Sequence, residues 1–220
     1  MLRNILLATA ALTLVATAAN AGPQVSLSKD NKFVSVMPNN HNATRVRAPK
    51  DSYVYETLST NANGAYFCCY GSTISGPSSF FDAAYGVAEQ FILTNSTKAK
   101  GLAAGVGYVS GDDSVTLTLY ADNGSNSPGA MLAQGTGTTS TEFGECCGVT
   151  TVKIPKTNLA ANTPYWVAIT TTGANFEAAG FQVSNEVDDY VYVASTSNGG
   201  STWGSGYSET EYDPAIGVIK

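Results

Sequence analysis

The chain has 220 residues and a formal net charge of −6 at pH 7, with 43% hydrophobic and 13% charged residue types. This length can bury the core of one domain, the hydrophobic content excludes a disordered chain, and the acidic balance argues against a nucleic-acid partner. The 25 Thr, 21 Ser, 22 Gly and 12 Tyr residues favour strands joined by turns.

The first 21 residues have the features of a secretory signal peptide. Arg3 supplies a positive charge, residues 5–16 form an apolar run, and residues 19–21 fit a small-x-small cleavage pattern. The run is too short to span a bilayer comfortably, and no later segment is apolar enough to span one. A buried N-terminal helix is the alternative. We expect cleavage after Ala21 and a mature chain that is secreted, periplasmic or held at the cell surface.

Residues 22–50 form a basic extension in front of an acidic body. The extension holds five basic residues and one acid, whereas residues 51–220 hold five basic residues and sixteen acids. Because opposite charges attract, we expect the extension to dock on the body as a strand and loop. A mobile tail for an anionic surface is the alternative. The predicted divisions of the chain are therefore 1–21, 22–50 and 51–220.

Short strands are expected throughout the body. Alternation is clearest at residues 114–120, where Val115, Leu117 and Leu119 share one face. The predicted strands are residues 53–58, 64–70, 88–94, 102–109, 114–121, 150–154, 165–171, 190–195 and 215–219. No long stretch has a helical period, and no phosphate loop or dinucleotide fingerprint is found. The expected fold class is all-β, an antiparallel, jelly-roll-like β-sandwich.

Export makes disulfides the expected state of the four cysteines, which occur as the adjacent pairs Cys68-Cys69 and Cys146-Cys147. Neighbours on a strand point to opposite faces, so the two segments could be joined twice. The three connectivities are Cys68–Cys147 with Cys69–Cys146, Cys68–Cys146 with Cys69–Cys147, and strained bonds within each pair. A four-cysteine zinc site is the alternative, but zinc ligands usually stand two or more residues apart. We therefore expect a disulfide-stapled sandwich.

Several segments of the body together resemble a known family. They are residues 54–59, 88–94, 117–124, 127–133 and 159–168, which include an Ala-Asp-Asn-Gly turn, a Ser-Pro-Gly turn and a Thr-Pro-Tyr-Trp strand. These segments are similar to the bacterial choice-of-anchor domains, closest to the R type, and the resemblance covers about residues 51 to 220. The family implies an exported β-sandwich with no established catalysis, often attached to the cell by a C-terminal sorting signal. This chain ends without an apolar tail, so we expect release or association through another surface.

A second resemblance is local to residues 196–203. The segment Thr-Ser-Asn-Gly-Gly-Ser-Thr-Trp is similar to the Asp-box hairpin of sialidases, with Thr for the leading Ser and Asn for the Asp. The motif implies a structural turn with the tryptophan packed beneath it. Propellers need several such repeats and this chain has one, so the segment predicts a hairpin and no catalysis.

Three carboxylates near the C-terminus are the candidate catalytic group. In an extended segment Glu209, Glu211 and Asp213 would share one face. This pattern resembles the acid/base strand of jelly-roll glycoside hydrolases, in which two carboxyl groups about 5 to 5.5 Å apart act as nucleophile and acid. Pro214 follows at once and would interrupt a central strand, so a run of surface acids is the simpler interpretation. A hydrolase is kept as the alternative function.

Structural calcium is the one cofactor for which the sequence offers candidate ligands. The same carboxylates, or Asp112, Asp113 and Asp122 in turns, offer the oxygen ligands that Ca²⁺ prefers, but neither set completes a known motif. The chain has one histidine, His41, and no nucleophile elbow. We therefore expect no catalytic triad, no histidine metal site and no required cofactor.

Aromatic side chains are the candidate ligand contacts. Trp166 follows Tyr165 on a predicted strand, so the two rings face opposite ways. Trp166 and Tyr120 could form a flat surface that stacks sugar rings, with Trp203 added from a C-terminal hairpin; core packing is the alternative use of these rings. We expect a non-enzymatic surface or matrix module whose partner is polysaccharide or another cell-surface component. A self-assembling structural protein is the third interpretation.

Overall fold

The computed structural model of the chain describes residues 25–36, 53–58, 67–139, 141–144, 148–182, 191–209 and 213–220. These ranges contain strands and turns, and none of them holds a helix of the length and apolar character needed to cross a membrane. The strands are β1 (Val25–Leu27), β2 (Phe33–Val36), β3 (Tyr53–Glu56), β4 (Phe67–Ser75), β5 (Gly86–Ile92), β6 (Thr97–Ser110), β7 (Ser114–Asp122), β8 (Pro128–Thr138), β9 (Val149–Leu159), β10 (Pro164–Thr171), β11 (Phe176–Gln182), β12 (Val191–Thr196), β13 (Tyr207–Glu209), β14 (Asp213–Pro214) and β15 (Ile216–Ile219).

The described strands form two antiparallel sheets. The larger sheet has nine strands in the order β1-β2-β4-β11-β6-β15-β3, with β14 also paired to β11 and β9 to β6. The smaller sheet has six strands in the order β13-β12-β5-β10-β7-β8. The predicted all-β class with antiparallel sheets is confirmed. The architecture is sandwich-like, because one cluster of buried side chains has members from both sheets.

This central core explains why the strands alternate in character. Val115, Leu117 and Leu119 on β7 are all fully buried, as their alternation predicts. They belong to the same cluster as Leu102 and Val106 on β6 of the larger sheet. Burial of one such side chain contributes about 1.5–3 kcal/mol, so contacts of this kind hold the two sheets together.

Part of the basic extension is built into the larger sheet. β1 and β2 pair antiparallel, and β2 in turn pairs with residues 70–72 of β4. Val34 on β2 is fully buried and lies in a second apolar cluster with Phe176 of β11. Residues 37–50 of the extension lie outside the described residues. The docked strand arrangement is therefore present in residues 25–36.

Two long strands are not predicted by the sequence. β8 begins with Pro128-Gly129, which is a turn signal, yet it lies at the edge of the smaller sheet, where proline is tolerated. β11 has the sequence Phe-Glu-Ala-Ala-Gly-Phe-Gln, which is poor in β-branched residues. It nevertheless pairs with strands on both sides, and Ala178 and Ala179 are fully buried. Small side chains suit this position because the strand is covered on both faces.

The cysteines are only partly within the described residues. Cys68 and Cys69 are consecutive on β4, but their side chains are not described, and Cys146 and Cys147 lie outside the described ranges. Disulfide stapling and its connectivity therefore stay predictions.

Candidate binding cleft

A cleft of about 530 Å³ opens between the two sheets at one edge of the sandwich. One wall comes from β2, β4 and the turn before β2, and the other from the start of β5, the end of β12 and the turn that follows it. The cleft therefore lies where β1–β2 extend the larger sheet alongside the smaller one.

Aromatic rings and hydroxyl groups dominate the lining of the cleft. The rings are Phe33, Tyr85, Trp203 and Tyr207, and the hydroxyl side chains are Ser72, Thr73, Ser195, Thr196, Ser197 and Thr202. Tyr207 is the most open of the rings, with 46% of its surface exposed. Asp30 and Lys32 add one charge of each sign. This mixture combines flat apolar faces with many donors and acceptors.

The turn after β12 positions Trp203. The hydroxyl oxygen of Thr196 accepts hydrogen bonds from the backbone N–H groups of Asn198 and Gly200, both at 3.2 Å. The Asn198 side chain closes the turn by accepting from the Thr202 N–H at 2.9 Å and donating to the Thr202 hydroxyl at 2.7 Å. β13 then pairs back on β12, so the segment is the hairpin that the Asp-box-like pattern predicts.

Gly200 allows the turn to sit close to two aromatic side chains. Its φ of +86° is the left-handed region that favours glycine. A Cβ at this position would lie 3.3 Å from the Tyr120 hydroxyl oxygen and 3.4 Å from Cζ2 of Trp203. The rings of Tyr120 and Trp203 meet edge to face, with centroids 5.9 Å apart. The turn is therefore fixed both by its own hydrogen bonds and by the aromatic pair beside it.

The structure brings the three predicted ligand residues into one cluster, but Trp166 is not open to a ligand. Trp166 is 0% exposed and packs with Tyr120 and Trp203 on the outer face of the smaller sheet. The loop that leads to β13 covers it, since a Cβ on Gly206 would lie 3.0 Å from Cη2 of Trp166. The Gly206 N–H fixes this loop by donating to the Asn126 carbonyl oxygen at 2.9 Å. The expected exposed surface built on Trp166 and Tyr120 is thus corrected: the hairpin buries the indole, and Trp203 alone of the three lines the cleft.

Asp122 holds this covered face together. Its Oδ2 accepts a hydrogen bond from Nε1 of Trp166 at 2.8 Å and another from Nε2 of Gln90 at 3.1 Å. Its Oδ1 accepts from the Gly124 N–H at 2.6 Å. All three bonds are made to a carboxylate, which strengthens each of them. The carboxylate that the sequence offers as a calcium ligand therefore has a structural use here.

The charged pair at the rim belongs to the turn between β1 and β2. The Ser28 hydroxyl donates to Asp30 Oδ1 at 2.7 Å, and Nζ of Lys32 lies 3.9 Å from Asp30 Oδ2. The hydrogen bond from Ser28 lowers the pKa of Asp30, with smaller contributions from the Lys32 backbone and charge. Asp30 is thus held in its charged form, and the rim presents a carboxylate next to an ammonium group.

Two of the three candidate catalytic carboxylates, Glu209 and Asp213, lie on different strands. Glu209 ends β13, which pairs with β12 in the smaller sheet, whereas Asp213 begins β14, which pairs with β11 in the larger sheet. Glu211 lies outside the described residues. Asp213 is buried and does not line the cleft. The extended face expected for them is corrected, because the chain changes sheets between the two strands.

Sequence reasoning missed two other carboxyl groups, which are fully buried. Glu89 on β5 accepts a hydrogen bond from the Tyr55 hydroxyl at 2.7 Å. Burial raises the pKa of Glu89 well above its ordinary value, the charge of Asp213 adds to this, and the Tyr55 bond opposes it. The sequence does contain one indication that Glu89 is buried. It falls between Val87 and Phe91 in the alternation that faces the core.

The second buried carboxyl group is Glu177 on β11. Neither of its carboxyl oxygens has a hydrogen-bond partner in the described part of the chain. Burial raises the pKa of Glu177 to about 9, and the charge of Asp113 contributes in the same direction. Glu177 is therefore held in the neutral form at neutral pH, in which it lacks the charge that metal binding or nucleophilic attack requires, and the pKa of Glu89 is shifted in the same direction.

The candidate calcium ligands do not assemble into a larger group in the described ranges. No set of three or more His, Cys, Asp or Glu side chains there is arranged to hold a metal ion. Asp112 and Asp113 stay in the turn before β7, and the Asp112 N–H donates to the Asn175 side chain at 2.7 Å.

The cleft itself could be found from the sequence only in part. Trp203 and Tyr207 stand out because they flank a turn motif, whereas Phe33 and Tyr85 come from distant segments that carry no ligand signature. Pairing of β2 with β4 is what brings Phe33 to the cleft.

No protein-family model, curated protein or solved structure matches this chain. The resemblance to the choice-of-anchor domains therefore stays a prediction from the quoted motifs.

Proposed function

We propose that the protein is an exported, non-catalytic β-sandwich module that binds polysaccharide in this cleft. The observation that carries the proposal is the lining, in which four aromatic rings stand among six hydroxyl side chains at the edge of the sandwich. The proposal includes the secretory signal at residues 1–21, the choice-of-anchor resemblance and a disulfide-stapled, jelly-roll-like form.

The chemistry of the lining fits a sugar chain. Aromatic faces pack against the C–H faces of pyranose rings, while hydroxyl groups exchange hydrogen bonds with sugar hydroxyls. A volume of about 530 Å³ accommodates a few sugar residues, and the cleft lies at an edge where a longer chain can enter and leave. Asp213, the one of the carboxylates considered for hydrolysis whose side chain the structure describes, is buried and does not line the cleft, which favours binding over cleavage.

Tyr207→Ala tests this use of the cleft. The ring is 46% exposed, so its removal leaves the core intact, and loss of one stacked ring is expected to weaken binding about two- to tenfold. Affinity electrophoresis in gels that contain neutral glucan, mannan or galactan measures the dissociation constant. Tyr207→Phe keeps the ring and should retain most of the affinity.

Phe80→Ala is the matched control, because Phe80 is 66% exposed but does not line the cleft. It should bind as the unaltered protein does. The proposal is wrong if no neutral polysaccharide in a broad panel retards the oxidised protein. It is also wrong if Phe80→Ala and Tyr207→Ala weaken binding equally.

A further inference from the structure

The basic residues of the acidic body are gathered at one place. Residues 51–220 hold five of them: Lys98, Lys100, Lys153, Lys156 and Lys220. Four of the five line a single open groove of about 800 Å³, together with Ser96, Thr97 and Asn158. Among the residues that the structure describes, no Asp or Glu lines this groove, although acids outnumber bases by sixteen to five in residues 51–220.

The pairing of β6 with β9 builds this lysine groove. Lys98 stands opposite Asn158, and Gly101 stands opposite Lys153, with a register shift between Ala99 and Gly101. Ala99 is fully buried, so Lys98 and Lys100 on either side of it both point outward. β15 pairs with β6 on the same stretch and brings its C-terminal neighbour, Lys220, to the groove.

The lysines of the groove are exposed and form no ion pair with any described carboxylate. Like charges held close together repel, and this costs free energy unless an anion lies among them. The ordinary pattern for an acidic protein is to scatter its lysines among its acids. Their concentration in a concave surface instead favours a ligand that carries several negative charges.

We propose that the lysine groove binds an anionic polysaccharide. Lysines act as compact point charges that suit carboxylate or sulfate groups spaced along a chain. Thr97 and Asn158 add the hydrogen-bonding groups that sugar hydroxyls require. An open groove admits an extended polymer at both ends.

Other polyanions fit the groove less well. Single-stranded nucleic acid needs exposed rings for base stacking, but the aromatic residue of the groove, Tyr165, is buried, and its hydroxyl oxygen accepts the Ala160 N–H at 3.0 Å. A membrane surface is bound best by basic residues beside exposed apolar side chains, and Leu159 in the groove is buried.

This inference goes beyond the proposed function, because the groove and the aromatic cleft share no lining residue among those that the structure describes. β5 begins at the cleft with Gly86 and Val87 and ends at Ile92, about 20 Å further along an extended strand. The groove begins at Ser96, four residues after that strand ends. The two surfaces therefore lie at opposite ends of β5 and can be altered separately.

Polygalacturonate is the probe, and its fully methyl-esterified form is the neutral control with the same backbone. We expect the acidic polymer to bind much more tightly than the ester. Raising NaCl from 50 to 200 mM should weaken binding on the order of tens of fold if about four charges are engaged. Equal binding of the two polymers, or binding that does not change with salt, would overturn the proposal.

Lysine substitutions locate the site. Lys98→Gln, Lys100→Gln and Lys156→Gln should each weaken binding by up to about fivefold, and the triple variant much more. Lys29→Gln changes the net charge equally but lies in the β1–β2 turn, so it should bind as the unaltered protein does. Urea unfolding of each variant checks that it is folded.

Two further outcomes would contradict the proposed binding of anionic polysaccharide in the lysine groove. Unchanged binding by the triple variant would refute the groove as the site. Tighter binding to duplex DNA or to anionic lipid vesicles than to polygalacturonate would refute the choice of polysaccharide. Because Tyr207→Ala should leave polygalacturonate binding unaffected, failure of the aromatic cleft as a site is distinguishable from failure of the lysine groove.

Discussion

Glu177 makes the stability of the fold depend on pH in a direction opposite to that of a salt-bridged carboxylate. It lies on β11 between β4 and β6, is fully buried, and its carboxyl oxygens have no partner in the described ranges. Asp113 is the charged neighbour that adds to the effect. Glu177→Gln replaces the acid with a side chain of the same shape that cannot ionise.

The magnitude follows from the two pKa values. The pKa of Glu177 is about 9 in the folded protein against an ordinary 4.5, so the native state keeps a proton that the unfolded chain releases. The proton on Glu177 stabilises the folded state, and this contribution is complete below pH 4.5. It falls by about 1.4 kcal/mol per pH unit as the pH rises toward 9. The whole window amounts to about 6 kcal/mol, which is comparable to the total stability of many domains.

Urea unfolding at pH 5, 6, 7 and 8 measures this effect. We expect the free energy of unfolding of Glu177→Gln, relative to the unaltered protein, to rise by about 1.4 kcal/mol per pH unit, and by about 4 kcal/mol from pH 5 to 8. Glu142→Gln removes one exposed carboxylate and is the control for the loss of an acidic residue by itself. If Glu177→Gln and the unaltered protein lose stability in parallel, Glu177 is ionised in the native state and the reasoning fails.

Three further substitutions test the contacts that support Trp166 and the protonation of the other buried acid, Glu89. Asp122→Ala removes the acceptor of the Trp166 indole and should cost about 2 to 4 kcal/mol in urea unfolding; a loss below 0.5 kcal/mol would contradict the role given to that carboxylate. Gly206→Ala places a Cβ against the backbone carbonyl oxygen of Asn126 and 3.0 Å from Cη2 of Trp166, so it should cost about 1 to 3 kcal/mol and open the indole to acrylamide quenching, whereas Gly204→Ala should do neither. Glu89→Gln should raise the stability at pH 8 more than at pH 5, because burial favours the protonated form of this acid, and an equal change at both pH values would refute that state.

The sequence predicts a strand that alternates between one buried and one polar face more reliably than a strand that is enclosed on both faces. β7 alternates strictly between large apolar and polar residues, and its three apolar side chains are all buried. β11 gives no such signal, because its neighbours on both sides select small side chains and because it carries a buried acid. β-Sheet propensity reflects how well a side chain fits a half-buried sheet surface. It therefore does not identify a strand that is closely packed on both faces.

In the candidate sites, some features are encoded by a short segment, whereas others depend on segments that are far apart in the chain. The turn around Asn198 is encoded within seven residues, and its hydrogen bonds form as the local pattern implies. Whether Trp166 faces solvent depends instead on where the later loop at Gly206 lies, which no local pattern contains. The lysine groove likewise arises only when β6, β9 and β15 are brought side by side.

The rings that line the cleft have a consequence for how such proteins can diverge. None of Phe33, Tyr85, Trp203 and Tyr207 belongs to the central core cluster, and they are supplied by the β1–β2 hairpin, the approach to β5 and the hairpin after β12. Substitutions in these segments can change the shape of the cleft without disturbing the contacts that hold the sheets together. Descendants of one ancestral sandwich could therefore acquire different ligand preferences while their folds stay superimposable.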